Sequence, residues 1–196
     1  MTRGAVLTLA VVLAAGRVAA GTGTVKGTIT AATGPVPDAV VLIEGPADPA
    51  AAGARHAVMA QRNQTFVPHV LALPVGTTVD FPNDDPMLHN VFSASRAKRF
   101  DVGMYDKGET RSVTFDAPGV VRIRCNVHPK MEAFVVVHTN PWVAVTDASG
   151  SYTVAGVPAG AYQLRVWHET LAEQRVPVTI RDGQVEALDV RLAPSR

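Results

Sequence analysis

The sequence contains only one cysteine, Cys125, in 196 residues. A single thiol excludes an internal disulfide, and an iron–sulfur cluster normally requires several cysteine ligands. The formal net charge is +1, so the charge totals give no reason to expect nucleic acid as a partner. Beyond its N-terminal segment the chain has no further long apolar run, and we therefore expect no membrane span in the mature protein.

Glycine and proline are plentiful, with 16 and 14 residues, and short runs of Val, Ile, Leu and Thr lie between them. Turn residues that alternate with short β-prone runs are typical of all-β proteins, and we predict that fold class. The stretch from residue 47 to residue 64, ADPAAAGARHAVMAQRNQ, shows no clear period. We interpret it as a linker or a long surface loop.

The N-terminal segment has the pattern of an export signal. Arg3 is followed by an apolar core from Ala5 to Ala15, and Val18 and Ala20 occupy suitable −3 and −1 positions for cleavage. The apolar core is shorter than the ~20 residues that a membrane helix needs. The sequence thus predicts a signal peptide over residues 1–20 and a periplasmic protein.

The single cysteine lies in the stretch RCNVHPKMEAFVVV, where Cys125, His128 and Met131 follow one another at intervals of three residues. In the preceding run, Val121 and Ile123 alternate with arginines. Because side chains alternate between the two faces of a strand, Cys125 is expected on the apolar inner face at the strand's end.

Thiolate, imidazole and thioether form a soft donor set, which selects copper, zinc or iron–sulfur clusters. One cysteine is too few for a cluster, and structural zinc prefers more thiolates or paired histidines. One Cys, two His and a weak axial Met match the trigonal blue-copper arrangement. The best candidate for the second histidine is His89, because it also follows a predicted strand end. The predicted metal ligands are therefore His89, Cys125, His128 and Met131.

Two segments, PMLHNVF and SVTFDAPGVVRIRCNVHPKMEAFVVV, resemble the cupredoxins, and among them most closely the amicyanins. The Cys-x-x-His-Pro-x-Met loop and the His-Asn-Val motif at residues 89–91 carry this resemblance, which runs from residue 66 to residue 139. It implies a Greek-key β-sandwich that holds one type 1 copper ion and transfers single electrons, without enzymatic activity. Asn90 would tie the two ligand loops together by hydrogen bonds.

In cupredoxins, an apolar patch beside the exposed histidine edge is where electrons leave. By resemblance, this partner-docking patch would consist of Pro86, Met87, Leu88 and Pro129. A c-type cytochrome or a periplasmic dehydrogenase is the expected kind of redox partner.

The flanking segments GTVKGTITAATGPVPDAVVLIEG and VTDASGSYTVAGVPAGAYQLRVWHE resemble the carboxypeptidase regulatory-like, or transthyretin-like, β-sandwich. The order of the pieces also resembles bacterial exported proteins of the methylamine-utilization type. We therefore expect a small sandwich split between residues 21–48 and 140–196, with a cupredoxin domain at residues 57–139 inserted into it.

Two other functions remain open at this point. The same four donors would serve a copper-handling or storage protein that has no electron-transfer partner. A sandwich of the flanking type would also serve as a carbohydrate- or surface-binding module, for which Tyr152, Tyr162 and Trp167 are the available aromatic residues.

Overall fold

The computed structural model describes residues 21–47 and 55–195, and every regular element within them is a β-strand. The expected all-β class is confirmed, whereas the predicted signal peptide at residues 1–20 lies outside the described residues. None of the described residues forms a helix that would be long and apolar enough to cross a bilayer. The strands, in chain order, are β1 (Thr22–Ala31), β2 (Gly34–Pro35), β3 (Val40–Glu44), β4 (His56–Val58), β5 (Ala60–Arg62), β6 (Thr65–Val67), β7 (Val70–Pro74), β8 (Thr77–Pro82), β9 (His89–Ser95), β10 (Lys98–Tyr105), β11 (Thr110–Phe115), β12 (Gly119–Arg124), β13 (Glu132–His138), β14 (Val143–Val145), β15 (Ser151–Pro158), β16 (Gly160–Trp167), β17 (Gln174–Ile180), β18 (Val185–Ala187) and β19 (Val190–Arg191).

Strands β4 to β13 form a sandwich that we call the central sandwich. One sheet has the order β10-β9-β12-β13-β7, the other has the order β11-β8-β4, and β5 and β6 form a hairpin. Strand β8 shows why the sheets pack: Thr77, Val79 and Phe81 are buried, and the residues between them are half-exposed. Strand β9 lies beside β12, although between them the chain forms β11 in the opposite sheet. This crossing between sheets is typical of a Greek key.

The remaining strands form a second sandwich, which we call the flanking sandwich. One sheet contains β15, β1 and β18, with β2 and β19 also paired to β1, and the other has the order β14-β3-β16-β17. Apart from the short β2, every strand that pairs with β1 or β3 follows residue 139. The two ends of the described chain therefore meet in one core, to which Val25, Val41 and Leu164 contribute.

Strand β13 is buried on both faces because it lies between the two cores. Val135 and Val137 belong to the core of the central sandwich. The alternate residues Phe134 and Val136 pack instead with Leu42 of the flanking sandwich, in a third apolar cluster. We call this cluster the junction; its buried members are Val40, Leu42, Val70, Phe134 and Val136.

Two polar or aromatic contacts also cross the junction. His69 Nε2 and Glu169 Oε1 are 2.8 Å apart, and the rings of Phe134 and Trp167 lie 5.4 Å apart between their centroids. Together with the apolar cluster, they fix the flanking sandwich against the outer face of the sheet that contains β13.

The interpretation of residues 47–64 as a linker or surface loop is wrong for the part that the structure describes as strands. β4 pairs in parallel with β8, β5 pairs with β6, and Met59 between them is fully buried. Strands of three residues are too short to show an alternating pattern in the sequence. In addition, β4 is placed by its pairing with β8, and the residues of β4 alone do not reveal that pairing.

We expect Phe134→Ala to lower the free energy of unfolding by about 3–5 kcal/mol, because it removes a buried ring that both sandwiches share. Phe92→Ala is the control, since Phe92 is half-exposed on the same sheet outside the junction. Urea denaturation of both variants measures the effect. Equal losses in the two variants would contradict the account of the junction.

Candidate metal centre

The candidate centre lies where β9 begins and β12 ends. As the strand alternation predicts, Val121, Ile123 and Cys125 all face the core of the central sandwich, and Cys125 is only 3% exposed. β9 and β12 are antiparallel neighbours, with Phe92 opposite Arg124. The residues just before Phe92 therefore come to lie beside those just after Arg124.

The structure brings together three of the four predicted ligands. The Sγ atom of Cys125 lies 3.8 Å from Nδ1 of His89 and 3.9 Å from Nδ1 of His128. The two Nδ1 atoms are 3.1 Å apart. His89 is fully buried and His128 is half-buried, so the three donor atoms converge at a point shielded from solvent except on the side of His128.

The fourth predicted ligand, Met131, is buried and belongs to the same core cluster as Cys125. Two backbone hydrogen bonds close the loop between them. The N–H of Cys125 donates to the carbonyl of Met131 at 3.3 Å, and the N–H of Met131 donates to the carbonyl of His128 at 2.9 Å. The loop thereby holds its three donor-bearing residues in one fixed turn. Pro129 within it restricts the backbone further.

Asp85 holds the buried histidine in place, a role that the sequence did not predict. Its Oδ2 lies 2.8 Å from Nε2 of His89. A carboxylate at this nitrogen favours the tautomer that carries its proton on Nε2, which leaves the lone pair of Nδ1 free to bind a metal. In the sequence, Asp85 was visible only as part of the turn PNDDP.

Asp85 is itself held in position by a tight hairpin turn. Asn63 and Gln64, the two residues between β5 and β6, both have positive φ angles, 52° and 56°. This conformation is typical of the two-residue turns that join antiparallel strands. The N–H of Asn63 donates to Oδ1 of Asp85 at 2.6 Å, and that of Gln64 donates to Oδ2 at 2.8 Å.

These contacts set the charge of Asp85. Burial alone would raise its pKa, but the backbone N–H of Gln64, the ring of His89 and the N–H of Asn63 together lower the pKa of Asp85 below its ordinary value. The carboxyl group is therefore ionised at neutral pH, as an acceptor for the His89 ring must be.

The side chain of Asn83 organises the loop that carries Asp85 and His89. Its Nδ2 donates to the carbonyls of Met87 at 2.9 Å and Tyr105 at 3.1 Å, and its Oδ1 accepts from the N–H of Asp85 at 3.0 Å. The amide is fully buried. Because it binds the loop at two points and β10 at a third, the loop is fixed to the sheet.

Asn90 lies between the two ligand-bearing segments. Its Oδ1 accepts a hydrogen bond of 2.7 Å from the N–H of Asn126, the residue after Cys125. Its Nδ2 donates to Oδ1 of Asp101 at 2.9 Å, which fixes the orientation of the amide. The Asn90 side chain thus connects β9, which begins with His89, to the loop that follows Cys125.

The donor set fits a soft metal ion. Bonds of about 2.0–2.3 Å to imidazole nitrogen and thiolate sulfur place donor atoms roughly 3–4 Å apart. The three measured separations of 3.1, 3.8 and 3.9 Å meet that requirement. The structure describes no other group of three or more His, Cys, Asp or Glu side chains that meets in this way.

All four residues of the expected docking patch are exposed. Leu88 is 46% exposed and Met87 37%, and Pro86 and Pro129 are also at the surface. Val127, which the sequence did not single out, is 47% exposed in the same ligand loop. Apolar side chains therefore lie at the surface in both segments that carry a histidine of the centre.

Comparisons with known proteins return both families that the sequence resembles. A family model described as the carboxypeptidase regulatory-like domain matches residues 119–193. This segment begins at the first residue of β12, so it includes the loop from Cys125 to Met131 as well as strands β14 to β19. Among curated proteins, none matches this sequence.

Solved structures similar to this chain include several cupredoxins. A reduced amicyanin mutant is 29% identical, with 44% of this chain and 83% of that chain covered and a TM-score of 0.39. A purple cupredoxin from Nitrosopumilus maritimus is 28% identical, covering 43% and 99%, with a TM-score of 0.38. A copper-containing nitrite reductase from Thermus scotoductus SA-01 is 28% identical over 43% of this chain, with a TM-score of 0.41. The match spans only 22% of the length of that reductase.

We expect Asp85→Asn to weaken metal binding about 10- to 100-fold, as is typical for residues that orient a ligating histidine. Three hydrogen-bond donors converge on the Asp85 carboxylate, and an amide would replace one acceptor oxygen with a further donor. Competition with a copper chelator measures the affinity.

The matched control is Asp84→Asn, because the neighbouring Asp84 is exposed and pairs with Arg62 on the surface. The control should keep the affinity of the unmodified protein. If both variants bound copper as tightly as that protein, Asp85 would have no part in holding His89.

Proposed function

We propose that the protein binds one type 1 copper ion and carries single electrons between redox partners in the periplasm. The observation that carries the proposal is the convergence of the thiol of Cys125 with Nδ1 of His89 and His128, all three within 4.8 Å of one another. Met131 would supply the weak axial donor. One thiolate, two imidazoles and a thioether match the donor set of blue-copper electron-transfer sites.

Copper, when bound, supplies a one-electron couple, and the chain supplies a site that resists rearrangement. Asp85 fixes the ring of His89, and Asn90 ties Asn126 to the strand that carries His89. Burial of Cys125 and His89 excludes water from most of the site. Because the surrounding hydrogen bonds hold the donor residues, little movement of these side chains would accompany a change in the charge of a bound copper ion. Four protein donors also leave no position for a substrate, so we propose a carrier and not an enzyme.

The proposed organisation has three parts. Residues 1–20 would direct export and be removed. A cupredoxin domain at residues 57–139 would hold the copper. The split domain at residues 21–48 and 140–196 would be carboxypeptidase regulatory-like. The pairing of β1 and β3 with strands that follow residue 139 supports this division.

The exposed apolar surface beside His128 is the proposed docking site for a c-type cytochrome or a periplasmic dehydrogenase. His128 is the only one of the three converging donors that is not fully buried, so the shortest route to the metal from solvent passes through its ring. Exposed apolar surface next to such a route is typical of interaction sites.

The contacts of the flanking aromatic residues favour a packing role over an exposed sugar-binding platform. Tyr152 is buried, and its hydroxyl donates to the carbonyl of Leu188 at 2.6 Å. Tyr162 packs against Trp142 in the flanking core. Trp167, as described above, packs against the junction.

The first test is the visible absorption spectrum of the protein with Cu(II), compared with that of Cys125→Ser. We expect the intense thiolate-to-copper band that colours blue copper sites, and its loss in the variant, because only the Cys125 sulfur can give rise to it. Copper uptake without the band would contradict the proposed site and favour copper handling at another geometry.

Methionine variants separate the axial position from general packing. Met131→Leu should raise the reduction potential or change the band, because the axial donor tunes blue-copper potentials. Met59→Leu is the matched control, since Met59 is equally buried in the same core but is not a proposed ligand. Identical spectra and potentials in both variants would remove Met131 from the ligand set.

A third test concerns the docking patch and needs no identified partner. Electron self-exchange between reduced and oxidised copies requires two patches to meet, and we expect Leu88→Lys to slow it by about tenfold or more through like-charge repulsion. Val185→Lys is the control, since Val185 is exposed on β18 of the flanking sandwich. Nuclear magnetic resonance line broadening in mixed samples measures the rate. Equal rates in both variants would place the electron-transfer surface elsewhere.

A further inference from the structure

Asp85 places a negative charge beside the buried histidine of the metal centre. Its Oδ2 lies 2.8 Å from Nε2 of His89, and the side chains of Asp85 and His89 are 8% and 0% exposed. Among the described residues, His89 is the only basic side chain that contacts this carboxylate. Arg62, at the end of β5, pairs instead with Asp84 at the surface. The charge of Asp85 is therefore not cancelled by an arginine or a lysine.

Two backbone groups hold this carboxylate without neutralising it. The N–H groups of Asn63 and Gln64 donate to its oxygens at 2.6 and 2.8 Å. These groups are dipoles and carry no net charge, so a full negative charge stays next to the ring of His89. The side chain of Asp85 thus accepts three hydrogen bonds, which suits a carboxylate better than an amide with its single acceptor oxygen.

The charge lies beside an apolar core. Cys125 is 3% exposed and Met131 1%, and both belong to the core of the central sandwich together with Phe81 and Val91, which are fully buried. Charges interact more strongly in such surroundings than in water, and dissolved salt screens them less. The net charge of the occupied centre therefore influences which oxidation state of a bound metal ion is favoured.

The net charge follows from the donors. The thiolate of Cys125 carries one negative charge, both imidazoles and the thioether are neutral, and Asp85 adds a second negative charge. Two negative charges balance a divalent ion and leave a monovalent ion with one negative charge in excess. Without Asp85, the monovalent state would be the balanced one. Because an unbalanced charge is costly to bury, Asp85 favours the divalent state.

We propose that Asp85 stabilises Cu(II) relative to Cu(I) in this centre and thereby lowers its reduction potential. The inference rests on the proposed function, because it requires copper at Cys125. Asp85 is a positioning residue that acts through the ring of His89. The usual means of tuning a blue-copper potential are instead the axial ligand and the surroundings of the cysteine sulfur. A centre with this charge needs a stronger reductant as its electron donor and gives up its electron more readily once reduced.

Spectroelectrochemistry of the full exported, copper-loaded protein and of Asp85→Asn tests the proposal. We expect the ratio of Cu(II) affinity to Cu(I) affinity to fall at least tenfold in the variant, which raises the reduction potential by about 59 mV or more for a one-electron couple. Loss of ring orientation alone would weaken the binding of both oxidation states equally and would leave the potential unchanged.

Asp84→Asn is the matched control, because it removes the same charge from the neighbouring, exposed residue. Its potential should stay within a few millivolts of that of the unmodified protein at about 1 M salt, where the screening length is only about 3 Å. The effect of Asp85→Asn should persist at that salt concentration, because the carboxylate is buried.

The variant Asp85→Glu separates charge from shape, since it keeps the carboxylate on a longer side chain. Its potential should lie closer to that of the unmodified protein than to that of Asp85→Asn. A potential as high as that of Asp85→Asn would show that the shape of the side chain matters and its charge does not, which would overturn the proposal.

Other results would also overturn it. These are an unchanged or lower potential in Asp85→Asn, an equal rise in Asp84→Asn, and a rise that disappears at high salt. If the unmodified protein lacked the thiolate-to-copper band, the proposed function itself would fail. An unmodified protein with that band, and a variant with an unchanged potential, would overturn the present inference alone.

Should Asp85→Asn fail to fold, nuclear magnetic resonance of the reduced, unmodified protein decides the question. We expect the proton on Nε2 of His89 to resonate downfield of that of a solvent-exposed imidazole, because it is donated to a carboxylate. A signal at the position of an exposed imidazole would mean that Asp85 does not accept from His89, and the proposal would fall.

Discussion

The proposed metal centre depends on one pairing, that of β9 with β12. The ligands come from segments 36 residues apart, and no local spacing can bring His89 to Cys125. The antiparallel register that sets Phe92 opposite Arg124 does so. The hydrogen bond from the N–H of Asn126 to Asn90 then extends the contact beyond the last ladder pair, to the residue that follows the thiol. A shift of this register by one residue would turn Cys125 away from the core, because side chains alternate between faces.

A second set of contacts fixes the buried histidine of the centre. The hairpin turn at Asn63 and Gln64 presents two N–H groups to Asp85, and Asp85 accepts from His89. The flanking sandwich supports it from outside, because Phe134 and Val136 of β13 pack in the junction. β13 begins directly after Met131, so whatever fixes this strand also fixes the end of the ligand loop.

The sequence predicted the parts of this arrangement that rest on short-range patterns. Alternation along β8 and β12 identified inward residues, and the interval of three between Cys125, His128 and Met131 identified a soft donor set. The sequence did not predict features that depend on contacts between residues far apart in the chain. The strands within residues 56–62 are too short to show a period, and β4 is placed by its pairing with β8, some twenty residues later. Asp85 looked like an ordinary turn residue because its role depends on a hairpin turn 21 and 22 residues earlier in the chain.

The central claim is that a copper ion binds to the thiol of Cys125 and to two imidazoles at the meeting point of β9 and β12. X-ray absorption at the copper edge of the exported, copper-loaded protein tests it most directly. The account predicts one short copper–sulfur bond together with two imidazole nitrogens at bonding distance. A copper ion coordinated only by oxygen and nitrogen would contradict it, because the Cys125 sulfur would then have no part in the site.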